Sequence, residues 1–333
     1  MSSRSIHDQP ARSAGLDGSA ARALALIRAS GHPAVEHLSA SDARRVSEAN
    51  RALLRPDPVD VRHVEDRAFP TTDGHRLSLR AYSDLSESHD GSGLAPGLVY
   101  FHGGGFTVGS IETHDTICRE IAVGARVVVV SVAYRLGPEH KFPQAVDDAV
   151  AAVEPVACNA CAFGIDPRRL AVGGDSAGGN LAAVVALNAR DRGGPHLVAQ
   201  VLVYAKTDYS DRGARLLDFP QDFRFNRNLL EFFARNYLRS EADRADWRCS
   251  PLLADDHTRL PPALIITAGF DPLGEEGEDY ALRLARSGVP VTLKRFPGQV
   301  HGFLGWGRVV PEASLAIADV CRFLKCQTAA CRD

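Results

Sequence analysis

The chain has little lysine, methionine or tryptophan. Of 38 basic residues only Lys141, Lys206, Lys294 and Lys325 are lysines, and 333 residues include one methionine and two tryptophans. The lysine deficit follows no face or segment, so it reads as coding preference rather than function. Neither charge sign is in excess, since 38 basic residues stand against 41 acidic ones. Without a basic field there is nothing to hold nucleic acid or an anionic membrane surface. No uncharged apolar stretch reaches the ~18 residues that a membrane span needs. The apolar run 20–27 is interrupted by Arg22, so no secretory core stands out near the polar N-terminus. A soluble, cytoplasmic protein is expected. A paired set of cysteines is also missing. Seven cysteines, an odd number in a long chain, argue against a disulfide scaffold. Cys158 and Cys161 form a C-x-x-C, but a four-ligand zinc site would need a second such pair and none follows. They read as structural, and no metal or organic cofactor is expected.

What is present is an ordinary globular composition, 45% hydrophobic and 24% charged. The length exceeds a usual domain, yet α/β folds often run this long around one core. Residues 61–69 and 76–82 alternate well enough for an antiparallel pair joined by the Thr72-Asp73-Gly74 turn. Residues 98–101, 127–132, 170–172, 198–204, 263–268 and 291–296 are continuous apolar runs, as strands covered on both faces require. Helical patterns near 113–124, 144–157, 177–192, 275–287 and 312–325 fall between them. The alternation predicts about eight strands in a mostly parallel, doubly wound α/β layer. Two segments stand outside it: residues 1–58, polar and helical, and residues 209–250, rich in aromatics.

The segment Gly174-Asp175-Ser176-Ala177-Gly178 is a G-x-S-x-G where a strand gives way to a helix. Glycines on either side remove the Cβ atoms that would clash in a sharp turn beneath the serine. The turn exposes Ser176 Oγ at a helix N-terminus, where N–H groups favour developing negative charge. Upstream, His102-Gly103-Gly104-Gly105-Phe106 follows another strand. Acyl transfer needs donors aimed at a tetrahedral oxyanion, and backbone amides supply them. The expected donors are the Gly103, Gly104 and Ala177 amides, with His102 bracing the loop rather than acting as base.

The order for such an elbow is Ser, then an acid, then His. Asp271 follows the 263–268 strand and His301 follows the 291–296 strand, both at the sheet's carboxyl edge. His301 would take the proton of Ser176, and Asp271 would orient the imidazole. Asp208 and Glu275 are competing acids, but Asp271 lies one strand before His301. His32, His63, His75, His196 and His257 read as solvated surface residues.

Taken together and in this order, His102-Gly-Gly-Gly105, Tyr134-Arg-Leu-Gly-Pro-Glu139, Gly174-Asp-Ser-Ala-Gly-Gly179, Asp271-Pro-Leu273 and His301-Gly-Phe303 resemble the bacterial hormone-sensitive-lipase-like carboxylesterases, family IV, in the subgroup with Gly-Asp-Ser-Ala-Gly. The resemblance implies the α/β-hydrolase fold with a helical cap. The cap would be built from 1–58 and 209–250, and the catalytic core from 59–208 and 251–333. It implies Ser176, Asp271 and His301 as triad and Gly103, Gly104 and Ala177 as oxyanion hole, supported by His102, Gly105, Gly174, Asp175 and Gly178. It also implies pairing of two chains through the last strand. The sequence departs from the family at Ala133, where an aspartate is usual, at Gly137, where an alanine is common, and at Ala205-Lys206, where relatives often have a proline.

The expected activity is hydrolysis of short- to medium-chain carboxylic esters through an acyl-enzyme. Phe106, Phe219, Phe223, Phe232 and Phe233 are candidates for an apolar substrate pocket. The charge balance suggests no cationic clamp and suits an uncharged small-molecule ester. The rivals are an amidase or arylacetamide deacetylase, which shares the chemistry, and a non-catalytic ligand receptor on the same fold.

Overall fold

The computed structural model describes residues 15–85, 94–210 and 225–329. Its strands are β1 (His63–Pro70), β2 (Arg76–Ser83), β3 (Ala95–Phe101), β4 (Val128–Ala133), β5 (Ile165–Asp175), β6 (Ala199–Val203), β7 (Ala263–Phe270) and β8 (Val291–Val300). They form one sheet in the order β1-β2-β4-β3-β5-β6-β7-β8. The pairs β1–β2 and β2–β4 are antiparallel, and every later pair is parallel. A tight turn with Gly74 at φ +84, closed by the Thr71 amide on the His75 carbonyl, joins the first two strands.

Eight α-helices are present among the described residues: α1 (Gly18–Ala29), α2 (Ala40–Leu54), α3 (Ile111–Ala125), α4 (Gln144–Cys158), α5 (Ala177–Arg192), α6 (Arg227–Tyr237), α7 (Gly274–Arg286) and α8 (Pro311–Ala329). Local chemistry starts several of them. Asp17, Ser39 and Asn226 cap α1, α2 and α6 by accepting from the first-turn amides, and Ser110 forms a capping box with Thr113 at α3. Helix α5 is buried from Ala177 through Leu187, so it is apolar all round rather than amphipathic. Two hydrophobic clusters flank the sheet. One includes Val99, Val130, Val172 and Leu202 with α4 and α5, and the other Leu98, Val129, Val201 and Ile266 with α3 and α8.

Register brings the sheet's carboxyl edge together. Phe101 pairs with Gly174, Asp175 with Val203, and Phe270 with Val300. The residues that follow, His102, Ser176, Asp271 and His301, therefore emerge side by side. Over this edge lie two pieces outside the alternation. Val35 and Ala43 of the N-terminal segment pack with Leu229, Phe232 and Phe233 of α6 and with Val108 of the β3–α3 loop. Arg44 ties α2 down: its guanidinium donates to the carbonyls of Thr107 and Gly137 and to Glu139, at 2.6–2.9 Å. Gly137, a departure from the family pattern, has a local reason. A Cβ there would stand 2.3 Å from the carbonyl oxygen of Asn236, so only glycine lets the end of α6 approach.

Candidate active site

Ser176 is the residue before α5, with φ +55 and ψ −116, a conformation that side-chain-bearing residues rarely adopt. The flanking glycines permit it. A Cβ on Gly178 would lie 1.8 Å from the carbonyl oxygen of Phe101, and one on Gly174 would lie 2.4 Å from the same atom. The Ser176 hydroxyl lies 2.9 Å from His301 Nε2, and His301 Nδ1 donates to Asp271 Oδ2 at 2.7 Å. Asp271 is fixed in turn by the Leu273 amide, which donates to Oδ1 at 2.8 Å. The structure thus joins Ser176, His301 and Asp271 in one hydrogen-bonded chain. Asp208 turns to the Ser210 amide and hydroxyl instead.

The loop after β3 differs from expectation in one donor. The Gly103 N–H donates to Asp175 Oδ1 at 2.9 Å, so it is spent on the carboxylate rather than free for an oxyanion. The amides of Gly104, Gly105 and Ala177 have no acceptor among the described residues, and Gly104 and Gly105 line the cleft with Ser176. Gly105, read as supporting, takes the donor position expected of Gly103. Its φ of +57 suits glycine, and a Cβ would fall 2.2 Å from the ring of Phe233.

Beneath this loop is a network the sequence did not reveal. Asp175 accepts from the Tyr100 hydroxyl at 2.9 Å, and His114 Nε2 lies 3.2 Å from its Oδ1. Burial alone would raise the Asp175 carboxyl, but His114, Arg51 and Tyr100 override it and hold the group well below the usual carboxylate range. Burial pushes His114 down, so the pair is a carboxylate facing a neutral imidazole. His102 is a brace. Its Nδ1 donates to the Gly103 carbonyl at 2.9 Å and its ring stacks on Tyr134 at 4.3 Å. His114 could have been suspected only from its place one turn into α3, and nothing local marks its partner.

The cleft above Ser176 encloses about 670 Å³, its open mouth included. Of the five phenylalanines expected to line it, only Phe233 does so among the described residues. Phe106 is fully buried and stacks on Tyr237 at 3.7 Å, and Phe232 packs into the cluster behind α6. Phe219 and Phe223 lie outside the described residues. Phe225 lines the cleft instead and stacks on the His301 ring at 3.8 Å. Trp306 joins it, and so do Ser47 and Arg51 of α2, which places a cation where none was expected. Lys206 forms an ion pair with Glu276 at 2.7 Å, close to the aromatic ring of Tyr209. His257 is buried rather than solvated, because its Nε2 donates to the Pro251 carbonyl and its Nδ1 accepts from Arg283. Cys158 and Cys161 are free and exposed, and no group of three metal-ligating side chains occurs among the described residues.

Residues 98–305 match the family described as alpha/beta hydrolase fold. The chain belongs to that family. Within this alpha/beta hydrolase family it is 38% identical to an ethyl acetate hydrolase of Pseudomonas putida over 291 residues, 86% of this chain and 90% of the relative. It is 38% identical to an arylesterase of Saccharolobus solfataricus, covering 80% of this chain and 86% of that one. Among solved structures, an ester hydrolase from the metagenome of Lake Arreo, complexed with a bipyridine phosphonate derivative, superposes with a TM-score of 0.89 at 38% identity. That match covers 94% of this chain and 99% of the other. A hyperthermophilic esterase from Pyrobaculum calidifontis superposes at 0.86 with 36% identity, covering 96% and 100% of the two chains. Carboxylic ester hydrolysis is the activity these relatives' names share.

Proposed function

We propose that the protein is a carboxylesterase acting on short- to medium-chain esters, with Ser176 as nucleophile, His301 as base and Asp271 as its orienting acid. The observation that carries this reading is the hydrogen-bonded chain from Ser176 Oγ through His301 at 2.9 Å to Asp271 at 2.7 Å. Ser176 Oγ attacks the ester carbonyl as its proton passes to His301 Nε2. The tetrahedral oxyanion is met by the amides of Gly104, Gly105 and Ala177. As the C–O bond breaks, His301 returns the proton to the leaving alcohol and an acyl-serine remains. Water then attacks the acyl carbon and gives its proton to His301, and collapse releases the acid and restores the Ser176 hydroxyl. Asp271 keeps Nδ1 protonated throughout and stabilises the imidazolium. Each oxyanion donor is worth ~3 kcal/mol of transition-state stabilisation.

In this reading residues 1–58 and 209–250 form a cap over the core made of 59–208 and 251–333. Contact of Val35 and Ala43 with Leu229 and Phe233 across the cleft supports it. The acid and alcohol of the Pseudomonas putida relative's named substrate support a preference for small groups. Ser176→Ala is expected to lower kcat on p-nitrophenyl butyrate by about a million-fold with the fold retained by circular dichroism. A p-nitrophenyl series from acetate to palmitate should peak at the short end. Retained turnover in Ser176→Ala sinks the triad, and a peak at palmitate sinks the chain-length preference. The reading includes a cytoplasmic location and two chains paired along β8, the sheet's last strand, where Leu293 is exposed. Light scattering of the purified protein tests that pairing.

A further inference from the structure

Helix α2 and the Arg55 that caps its C-terminus carry four arginines, and three of them have partners. Arg44 meets Glu139, Arg45 meets Asp42, and Arg55 donates to the carbonyl of Glu112. Arg51 stands one turn after Ser47 on the same helix face, and both line the cleft of Ser176. No carboxylate, carbonyl or hydroxyl among the described residues is hydrogen-bonded to its guanidinium. The carboxylate lining the cleft, Asp175, feels the Arg51 charge but is hydrogen-bonded to Tyr100, Gly103 and His114 rather than to the guanidinium. Gly305 lies beside the guanidinium, where a Cβ would make ordinary contact with Nη1 at 3.4 Å. The rest of the wall is largely apolar, with Val35, Val108, Phe225, Leu229, Phe233 and Trp306.

A half-buried guanidinium among apolar walls loses hydration, and a planar fork of donors suits a carboxylate. A guanidinium whose N–H groups have no hydrogen-bonded acceptor beside a reacting centre, in a cleft otherwise built for apolar groups, is a recognition element for an anion. We propose that Arg51 selects esters that themselves carry a carboxylate, the anion docking on the guanidinium while the ester carbonyl lies between Ser176 Oγ and the amides of Gly104 and Gly105. The inference rests on the esterase reading above and names its substrate class. The carboxylate can belong to the acyl part, as in a half-ester of a dicarboxylic acid, or to the alcohol part, as in an acylated hydroxy acid.

The test compares monoethyl succinate with ethyl butyrate, and O-acetylglycolate with ethyl acetate, in wild type, Arg51→Gln and Arg51→Lys. The readout is the ratio of kcat/KM for the charged ester to that for its neutral counterpart, so any change common to both cancels. Arg51→Gln is expected to lower that ratio about ten- to a hundred-fold in one of the two pairs, mainly through KM, with Arg51→Lys between. The pair that responds shows which part of the ester faces α2. Added salt should shrink the wild-type ratio. Unchanged ratios in both pairs, with neutral esters hydrolysed, overturn the role of Arg51 and leave the esterase reading intact. Failure of wild type on all four esters overturns that reading instead. Binding is then read directly, by calorimetry of monoethyl succinate with Ser176→Ala and with Ser176→Ala/Arg51→Gln. Equal affinity of the two overturns the inference whatever the chemistry.

Discussion

His102 should make the protein lose stability in mild acid, and removing it should give part of that stability back. The ring is buried, stacked on Tyr134 at 4.3 Å, and donates from Nδ1 to the Gly103 carbonyl. Burial first, and His114 second, push its imidazole from the ordinary 6.5 down to about 3. The native state therefore refuses a proton that the unfolded chain accepts from about pH 6.5 downward. The unfolded state binds more protons, so stability falls as pH drops below 6.5 and keeps falling until the folded group titrates near 3. Each pH unit in that window costs about 1.4 kcal/mol, so the loss at pH 5 is about 2 kcal/mol.

His102→Asn keeps an amide N–H where Nδ1 sits and has nothing to protonate. The variant loses the stacking contact, about 1 kcal/mol, at every pH. Urea unfolding at about pH 7.5 and about pH 5 separates the two effects. The fall in unfolding free energy between these conditions should be about 2 kcal/mol smaller in the variant than in wild type. His114 is buried and pushed down too, so its own contribution remains in both proteins and cancels. Equal acid sensitivity of the two proteins would mean that His102 takes its proton while folded, and the sealed brace beneath the oxyanion loop would be refuted.

Other changes probe the same floor. Gly105→Ala forces a Cβ to within 2.2 Å of the Phe233 ring at φ +57, and kcat should fall about a hundred-fold with a smaller loss of Tm. Asp175→Asn removes the anion that holds the Gly103 amide, the Tyr100 hydroxyl and His114; kcat should drop about a hundred-fold and urea unfolding should show a loss of about 3 kcal/mol. Wild-type kcat in this variant would separate the network from the reaction. Glu276→Gln leaves Lys206 unpaired in a largely buried setting and should destabilise by about 3 kcal/mol in urea, whereas Lys206→Met/Glu276→Leu should recover most of it. A double variant no better than the single would show that the pair is worth more than its desolvation cost.

The sheet was readable because its strands are short apolar runs, or alternating ones in the first two, bounded by turn residues. Strands β3, β5, β7 and β8 are longer than their apolar runs, and two of them show why. The 170–172 run extends to Ile165–Asp175, because Gly173 and Gly174 keep strand pairing with β3 although they carry no side chain to signal it. The 291–296 run continues through Pro297 and Gly298 to Val300, where pairing with Phe270 resumes after an irregularity in β7. Ser176, Asp271 and His301 were readable because each follows a strand directly, so sequence position alone puts it on the edge. Gly103 was misassigned because three successive glycines have no local mark of which amide turns toward the serine. That depends on Asp175, 72 residues away. Arg51, His114 and His257 sit on helices or loops whose partners come from distant segments, and an amphipathic pattern cannot tell a solvated polar face from one that roofs a cleft.

Two Asp–His pairs begin from aspartates at the carboxyl edge of this sheet, and burial sets them to different work. In Asp271–His301 the imidazole reaches out of the protein on one side, with Nε2 on Ser176 Oγ, and the cleft gives it access to water and substrate. In Asp175–His114 both side chains are sealed, and the carboxylate spends its acceptors on Tyr100, Gly103 and the imidazole. In the proposed mechanism the first pair exchanges a proton with Ser176 and substrate through the cleft. The second has no such exit, so its charge is fixed and serves as an anchor. That anchor takes the Gly103 amide out of the oxyanion hole, and by doing so it fixes the direction in which the next two amides point. A loop of three glycines is conformationally loose, and oxyanion donors are effective only when preorganised. The sealed pair supplies the rigidity that the glycines lack, from the residue that immediately precedes the serine. In the proposed mechanism one short segment, Asp175-Ser176-Ala177, thereby carries the anchor of the hole, the nucleophile and one of its donors.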